Sequence, residues 1–297
     1  MNTTTEYRNG LLSTIFAFTI WGIFPLFWHL LATIPSLLVL AHRVLWSAVL
    51  VGGGLLLTRK WQWLVDIWRT PQRLLWLGVS GFIITGNWGL YIWAVAHGHI
   101  VESSLGYFIN PLLSVILGVV FLAERMNPAQ WLAVGLATIG VAWLTWQGGR
   151  FPWIAIALAI SFALYGLIRK LVVVEAVIGL GVESLFMVIP ALIGIIWAEN
   201  GHGGGFIHGW SWGINSLLIL SGLVTAVPLI AFAYGVRRLP LSTAGLLQYI
   251  GPTLQFLIGV LVLHEPFALS QLLGFGFIWA GLAIFAANGL RVATQSR

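Results

Sequence analysis

Ten long apolar stretches alternate with short polar turns along the chain, near residues 10–31, 36–57, 74–97, 100–122, 128–147, 152–171, 177–198, 215–236, 241–263 and 268–289. About 20 apolar residues suffice to cross a bilayer as a helix. The pattern therefore predicts an all-α integral membrane protein with ten transmembrane helices, and the turns leave no room for a soluble domain. Two connections are longer. Between Thr58 and Arg73, Trp61, Trp63, Leu64, Ile67 and Trp68 are interleaved with basic and polar residues, as in an amphipathic helix lying in the membrane interface or an aromatic belt. The other, with Gly201, His202, Gly203, Gly204, Gly205 and His208, has the composition of a flexible linker.

The second half of the pattern repeats the first. A shift of 141 residues lays Leu105, Ile109, Pro111, Leu113, Gly118, Val119, Leu122 and Glu124 on Leu246, Ile250, Pro252, Leu254, Gly259, Val260, Leu263 and Glu265. The register continues through Gln130, Gly135 and Gly140, which fall on Gln271, Gly276 and Gly281. Apolar composition does not by itself produce matched Pro, Gly, Glu and Gln. At a shift of 144, Phe18 and Gly22 meet Phe162 and Gly166. The division expected is 1–147 and 148–297. Because each unit holds five helices, the second must lie upside down relative to the first. Inverted repeats of this kind suit a carrier that opens one central site to each side of the membrane in turn.

Charge sets the expected orientation. Only 7% of residues are charged and 59% are hydrophobic, far from the roughly 25% charged content of soluble domains. With the N-terminus inside, twelve of the 14 Lys and Arg residues fall on cytoplasmic segments, leaving Arg150 outside and Arg43 within the second helix. Both termini are thus expected in the cytoplasm, with the first helix a retained anchor and no cleaved leader. The net charge of +6 reports this topology rather than affinity for nucleic acid, which would call for one basic face. The absence of cysteine excludes disulfides, thiolate metal sites and cysteine catalysis. No cofactor or metal is expected; the partners expected are the lipid bilayer and a small-molecule substrate.

Polar residues inside the spans mark the candidate site, since exposing them to lipid is costly. On the fourth helix Ser103, Tyr107, Asn110 and Ser114 share one face, and on the ninth Ser242, Gly245, Gln248, Pro252 and Gln255 do the same. The stripes correspond under the repeat, Tyr107 with Gln248 and Ser114 with Gln255. Pro111 and Pro252 each remove a helical hydrogen bond, bending the helix and freeing a carbonyl. Asn87, Trp88 and Tyr91 on the third helix, with Trp21 on the first, could wall a cavity for flat or amphipathic molecules; packing and interhelical hydrogen bonding are the competing roles. Arg43, Glu102 and Glu183 each cost about 2.5–3.5 kcal/mol to insert and are expected to pair as gates or clamps, Arg43 with Glu102 and Glu183 with Arg169 or Lys170. Glu124 and Glu265 end the fourth and ninth helices and are expected to reach the amides that start the following helix.

Several motifs resemble one transporter group. His42-Arg43-Val44-Leu45-Trp46-Ser47, the run Gly86 to Val95, the run Glu102 to Leu112 and Gln248-Tyr249-Ile250-Gly251-Pro252-Thr253 look like signatures of the RarD group in the EamA family of the drug/metabolite transporter superfamily. The resemblance covers nearly the whole chain. It implies a ten-helix permease of the bacterial inner membrane, built from two inverted EamA units and exporting small metabolites or drugs. Glu124-Arg125 fits the end of an EamA unit, whereas the second unit has His264-Glu265-Pro266 and lacks the basic residue. A channel and a membrane-embedded enzyme are the rival classes. The enzyme is disfavoured by the lack of a His-Glu-x-x-His motif or a paired-carboxylate spacing. Protons are a candidate coupling ion, with Glu102, Glu183, His42, His97 and His99 as their carriers.

Overall fold

A computed structural model describes residues 3–58, 61–96, 99–147, 151–207, 209–262 and 269–295. Among them the chain forms helices and no strand. The first half comprises α1 (Thr3–His29), α2 (Ser36–Leu57), the short α3 (Trp61–Trp68), α4 (Pro71–Ala96), α5 (Ile100–Leu122) and α6 (Pro128–Gln147). The second comprises α7 (Trp153–Leu171), α8 (Ala176–Glu199), α9 (Trp212–Val236), α10 (Leu241–Leu247), α11 (Ile250–Leu261) and α12 (Leu269–Gln295). Nine stretches of the described residues are long and apolar enough to span a membrane, Leu241–Leu261 counting as one, and Leu272–Asn288 within α12 is a shorter apolar run. Large apolar side chains face outward even at mid-helix, with Ile189 and Ile193 of α8 63% and 64% exposed. Lipid must cover such a surface. The chain is a ten-helix membrane protein of two inverted five-helix repeats.

The repeat is visible in the packing. Exchange of the halves takes α1, α2, α4, α5 and α6 into α7, α8, α9, α10–α11 and α12. Under it, the contact of α5 with α7 becomes that of α1 with α10 and α11, α4 on α7 becomes α1 on α9, and α2 on α9 becomes α4 on α8. The pairs α2–α8, α5–α10 and α6–α12 map onto themselves and straddle the axis. Backbones close at matched small residues. A Cβ on Gly140 would lie 2.5 Å from the Gly274 carbonyl oxygen, and one on Gly281 would lie 2.7 Å from the Ala133 carbonyl oxygen. Those two contacts are the same contact seen from each half, since 140 and 281, like 133 and 274, differ by 141. Gly81 and Gly222 are also 141 apart, and they abut the backbones of α8 at Glu183 and α2 at Trp46. Small residues let spanning helices approach this closely where no hydrophobic force distinguishes helix from lipid.

Local chemistry fixes the ends. Pro71 and Pro128 occupy the first position of α4 and α6, where a missing N–H costs nothing. Asn127 and Gln130 cap α6 reciprocally, the Gln130 amide donating to Asn127 Oδ1 and the Asn127 amide to Gln130 Oε1, both at 2.9 Å. The connection between α2 and α4 contains α3, a helix with Ile67 buried and Trp68 exposed. The glycine-rich connection differs from the linker its composition suggests. Gly201 and Gly203 take φ of 97° and 90°, conformations that other residues resist. Glu199 then accepts from the amides of Phe206 (2.9 Å) and Ile207 (3.3 Å), folding Phe206 and Trp210 back onto a cluster with Leu31, Ile34, Leu38 and Leu218. His208 lies outside the described residues.

Candidate functional site

A cavity of about 380 Å³ lies between the halves, walled by α1, α2, α4 and α5 of the first and by α7, α11 and Gln248, at the junction of α10 and α11, of the second. It extends to the α1–α2 connection, where Leu31, Ala32, Ile34 and Ser36 line it. Its walls are largely aromatic. Trp21 packs against Phe18, Phe162 and Phe232 with ring centroids 5.4, 5.7 and 5.6 Å away, and Tyr91 meets Tyr107 edge to face at 5.7 Å.

The polar residues singled out from the sequence fall in three places. Trp21, Asn87, Trp88, Tyr91, Tyr107, Asn110, Gln248 and Gln255 line the cavity, as do Arg43 and Pro252. Tyr107 is 36% exposed, its surface lying in the cavity wall. Several of these groups also tie elements together. Asn87 Nδ2 donates to the Leu158 carbonyl and Ser161 Oγ, each at 2.8 Å, joining α4 to α7. Gln255 Nε2 donates to the Trp21 carbonyl at 3.1 Å. Gln248 Nε2 donates to Ser114 Oγ at 3.1 Å, so Ser114, itself 1% exposed, sits behind the wall. Pro111 lies within an unbroken α5, its carbonyl oxygen 2.9 Å from where a Cβ on Gly245 would sit. The ninth span divides at Gln248–Tyr249, one turn ahead of Pro252. The Gln248 carbonyl that Pro252 leaves free accepts instead from the Gly251 amide at 3.1 Å.

Arg43 is the one charged side chain among the described residues lining the cavity. Its guanidinium carbon sits 4.5 Å from the Trp28 ring centroid and 4.7 Å from that of Trp88, a cation–π arrangement. Its Nε donates to Thr225 Oγ1 at 3.0 Å. The Glu102 side chain lies outside the described residues, so its pairing with Arg43 stays an expectation. Glu183 does not line the cavity. It is 2% exposed between α4, α7 and α8, accepting from Ser80 Oγ at 2.5 Å and pairing with Arg169 Nη1 at 3.3 Å. A void of about 20 Å³ beside it shares Trp88 and Thr225 with the cavity lining and the Arg43 contact.

Polar links tie the elements together at the end of the molecule away from the α1–α2 connection. Glu6 pairs with Arg238 Nε at 2.6 Å, and Arg238 covers the Tyr234 ring. Lys170 donates to the Val236 and Leu239 carbonyls and Arg237 to the Val174 carbonyl. Glu124 does not reach the start of α6, which Asn127 and Gln130 already cap. It crosses to the other half, accepting from the amides of Leu241 (2.5 Å) and Ser242 (2.8 Å) and from Ser242 Oγ (2.7 Å) at the start of α10, with Lys170 Nζ 3.8 Å away. Glu265 lies outside the described residues. No group of three or more His, Asp or Glu side chains able to hold a metal occurs among the described residues.

Thr225, Trp28, Ser80 and Ser161 were not distinguishable in sequence. Three are isolated hydroxyls in apolar helices, and Trp28 is one of 17 tryptophans.

Residues 8–146 and again 152–287 match the EamA-like transporter family. Protein RarD of Streptomyces exfoliatus is 44% identical over 298 residues, covering 100% of this chain and 94% of the relative. Protein RarD of Escherichia coli strain K12 is 43% identical over 295 residues, covering 98% of each. An uncharacterized transporter of Vibrio cholerae is 42% identical over 292 residues, 98% of this chain and 96% of the relative. A solved crystal structure with 18% sequence identity superposes with a TM-score of 0.66 over 94% of this chain and 97% of its own, a likeness of fold alone.

Proposed function

The chain belongs to the EamA-like transporter family, and from that premise we propose that it is a secondary carrier moving small organic molecules across the bacterial inner membrane by alternating access, in the direction of export. The observation that carries this reading is the cavity of about 380 Å³ between the two halves, within the roughly 300–1,000 Å³ of small-molecule sites. Its aromatic walls fit flat or amphipathic metabolites or drugs. Trp21, Asn87, Trp88, Tyr91, Tyr107, Asn110, Gln248 and Gln255 are the proposed substrate contacts, with Ser114 as support for Gln248. Arg43 and Glu102 are the proposed charge pair when the outer side is closed, and Arg169 with Glu183 the inner one. The halves, 1–147 and 148–297, are the proposed moving units.

With both termini in the cytoplasm, as the Lys and Arg distribution favours, the cavity faces outward here and the links around Glu124, Lys170 and Arg238 close the cytoplasmic side. A carrier rather than a channel is favoured by this closure and by the inverted repeat, and transport rather than catalysis by the names of the relatives. The test is reconstitution into proteoliposomes with labelled amino acids, nucleosides and organic acids, each assayed with and without unlabelled compound inside. Saturable uptake stimulated from the opposite side is expected for at least one class. Linear, unsaturable flux would replace the carrier with a channel, and the absence of flux for every class would refute transport of such molecules.

A further inference from the structure

Arg43 is held in a way that leaves one part of it unused. Its Nε is taken by Thr225 at 3.0 Å, and Trp28 and Trp88 lie 4.5 and 4.7 Å from the guanidinium carbon. The remaining part is the pair of terminal Nη atoms, which make no hydrogen bond to a described residue and are not among the buried unpartnered atoms. Arg43 lines the cavity, so those atoms are open to it. Among the described side chains no carboxylate pairs with this charge. Two indoles attract a cation through their ring faces but do not neutralise it. A positive charge in a low-dielectric, aromatic chamber repels cations and attracts anions far more strongly than it would in water. The planar fork of a guanidinium matches a carboxylate or a phosphate through two parallel hydrogen bonds.

We propose that the cavity takes organic acids, a flat apolar body lying among the aromatic walls with its carboxylate or phosphate on the Nη edge of Arg43. This deepens the transport reading, because it names the substrate class of the same cavity. Thr225 acts as a positioning residue, fixing the rotation of the guanidinium so that its terminal edge faces the chamber. The charge-assisted pair supplies the discrimination, and the walls supply affinity that neutral analogues share.

The test is equilibrium binding to the purified chain in lipid nanodiscs, read by saturation-transfer NMR and calorimetry, so that it requires no flux. Three probes share one ring system: indole-3-acetate, its neutral amide indole-3-acetamide, and the cation tryptamine. Phenyl phosphate against phenylacetate separates the two acid sources. The acetate is expected to bind about tenfold or more tightly than the amide, with tryptamine weakest. In Arg43→Gln the acetate and amide affinities should converge, and in Arg43→Lys, which keeps the charge without the fork, the preference should shrink but keep its sign. Equal affinity for acetate and amide in the unmodified chain, tighter binding of tryptamine, or no binding of any probe to folded protein overturns the proposal, whatever the variants do. Acid binding with no flux in vesicles would instead count against transport and leave this inference standing.

Discussion

Removing the Glu124 carboxylate should unlock the side proposed to face the cytoplasm. Glu124 accepts three hydrogen bonds from the start of α10, at 2.5, 2.8 and 2.7 Å, and its side chain is 12% exposed. A hydrogen bond to a charged group contributes about 1.5–3 kcal/mol. Three that share one carboxylate do not add, and losing the set costs about 3 kcal/mol, or about two orders of magnitude in an equilibrium constant. Lys170 keeps its bonds to the Val236 and Leu239 carbonyls, so Glu124→Ala leaves no stranded cation. If the closure belongs to the outward-facing state alone, the substitution lowers the ratio of that state to the alternative by this factor. Where that state is favoured by less than about 3 kcal/mol, its share falls below half. The chain has no cysteine, so Leu40→Cys, in the cavity wall, introduces a single thiol. A membrane-impermeant maleimide applied to right-side-out vesicles should label it more slowly in the Glu124→Ala background, with Glu124→Gln intermediate. An unchanged labelling rate in folded protein would refute the assignment of this contact as a state-dependent closure.

Three further outcomes test the packing. Glu183→Leu alone leaves Arg169, 2% exposed, buried without its anion and should cost about 3–5 kcal/mol, whereas Arg169→Met with Glu183→Leu should recover most of that; thermal unfolding in detergent reads both. Gly140→Val drives a Cβ to within 2.5 Å of the Gly274 carbonyl oxygen and should cost about 1–3 kcal/mol, while Gly135→Ala on the same helix meets nothing within 4 Å and should not lower the melting temperature. Ser114→Ala strands the Gln248 Nε2 donor and should cost about 1–3 kcal/mol, so Ser114→Ala with Gln248→Leu should cost less than the sum of the two single changes in the same assay.

The sequence made the spans legible because lipid imposes a length and a polarity on every crossing helix, and it made the repeat legible because Pro, Gly and Glu recur at 141 residues against an apolar background. It also brought forward Tyr107 and Gln248, since a polar side chain within a spanning helix stands out. The same reasoning could not separate a residue in the cavity wall from one behind it: Ser114 and Gln255 occupy matched positions, yet only Gln255 lines the cavity. It could not find Thr225 or Trp28 either, because their meaning arises only when α1, α4 and α9 bring them to Arg43. Chain proximity points Glu124 to the nearer helix start. Asn127 and Gln130 occupy that place, and the amides Glu124 reaches are more than a hundred residues away in the chain.

The matched interfaces of the two halves have a consequence for motion. A fold whose parts can trade roles carries instructions for its own reversal: if the first half adopted the backbone course of the second and the second that of the first, the vestibule would open toward the opposite compartment with no new architecture. The helix pairs that map onto themselves, α2 with α8, α5 with α10 and α6 with α12, would be the pivots of that exchange. On the proposed carrier reading the chain has two such end states, and distances across those three pairs, followed by spin labels, should vary least during turnover.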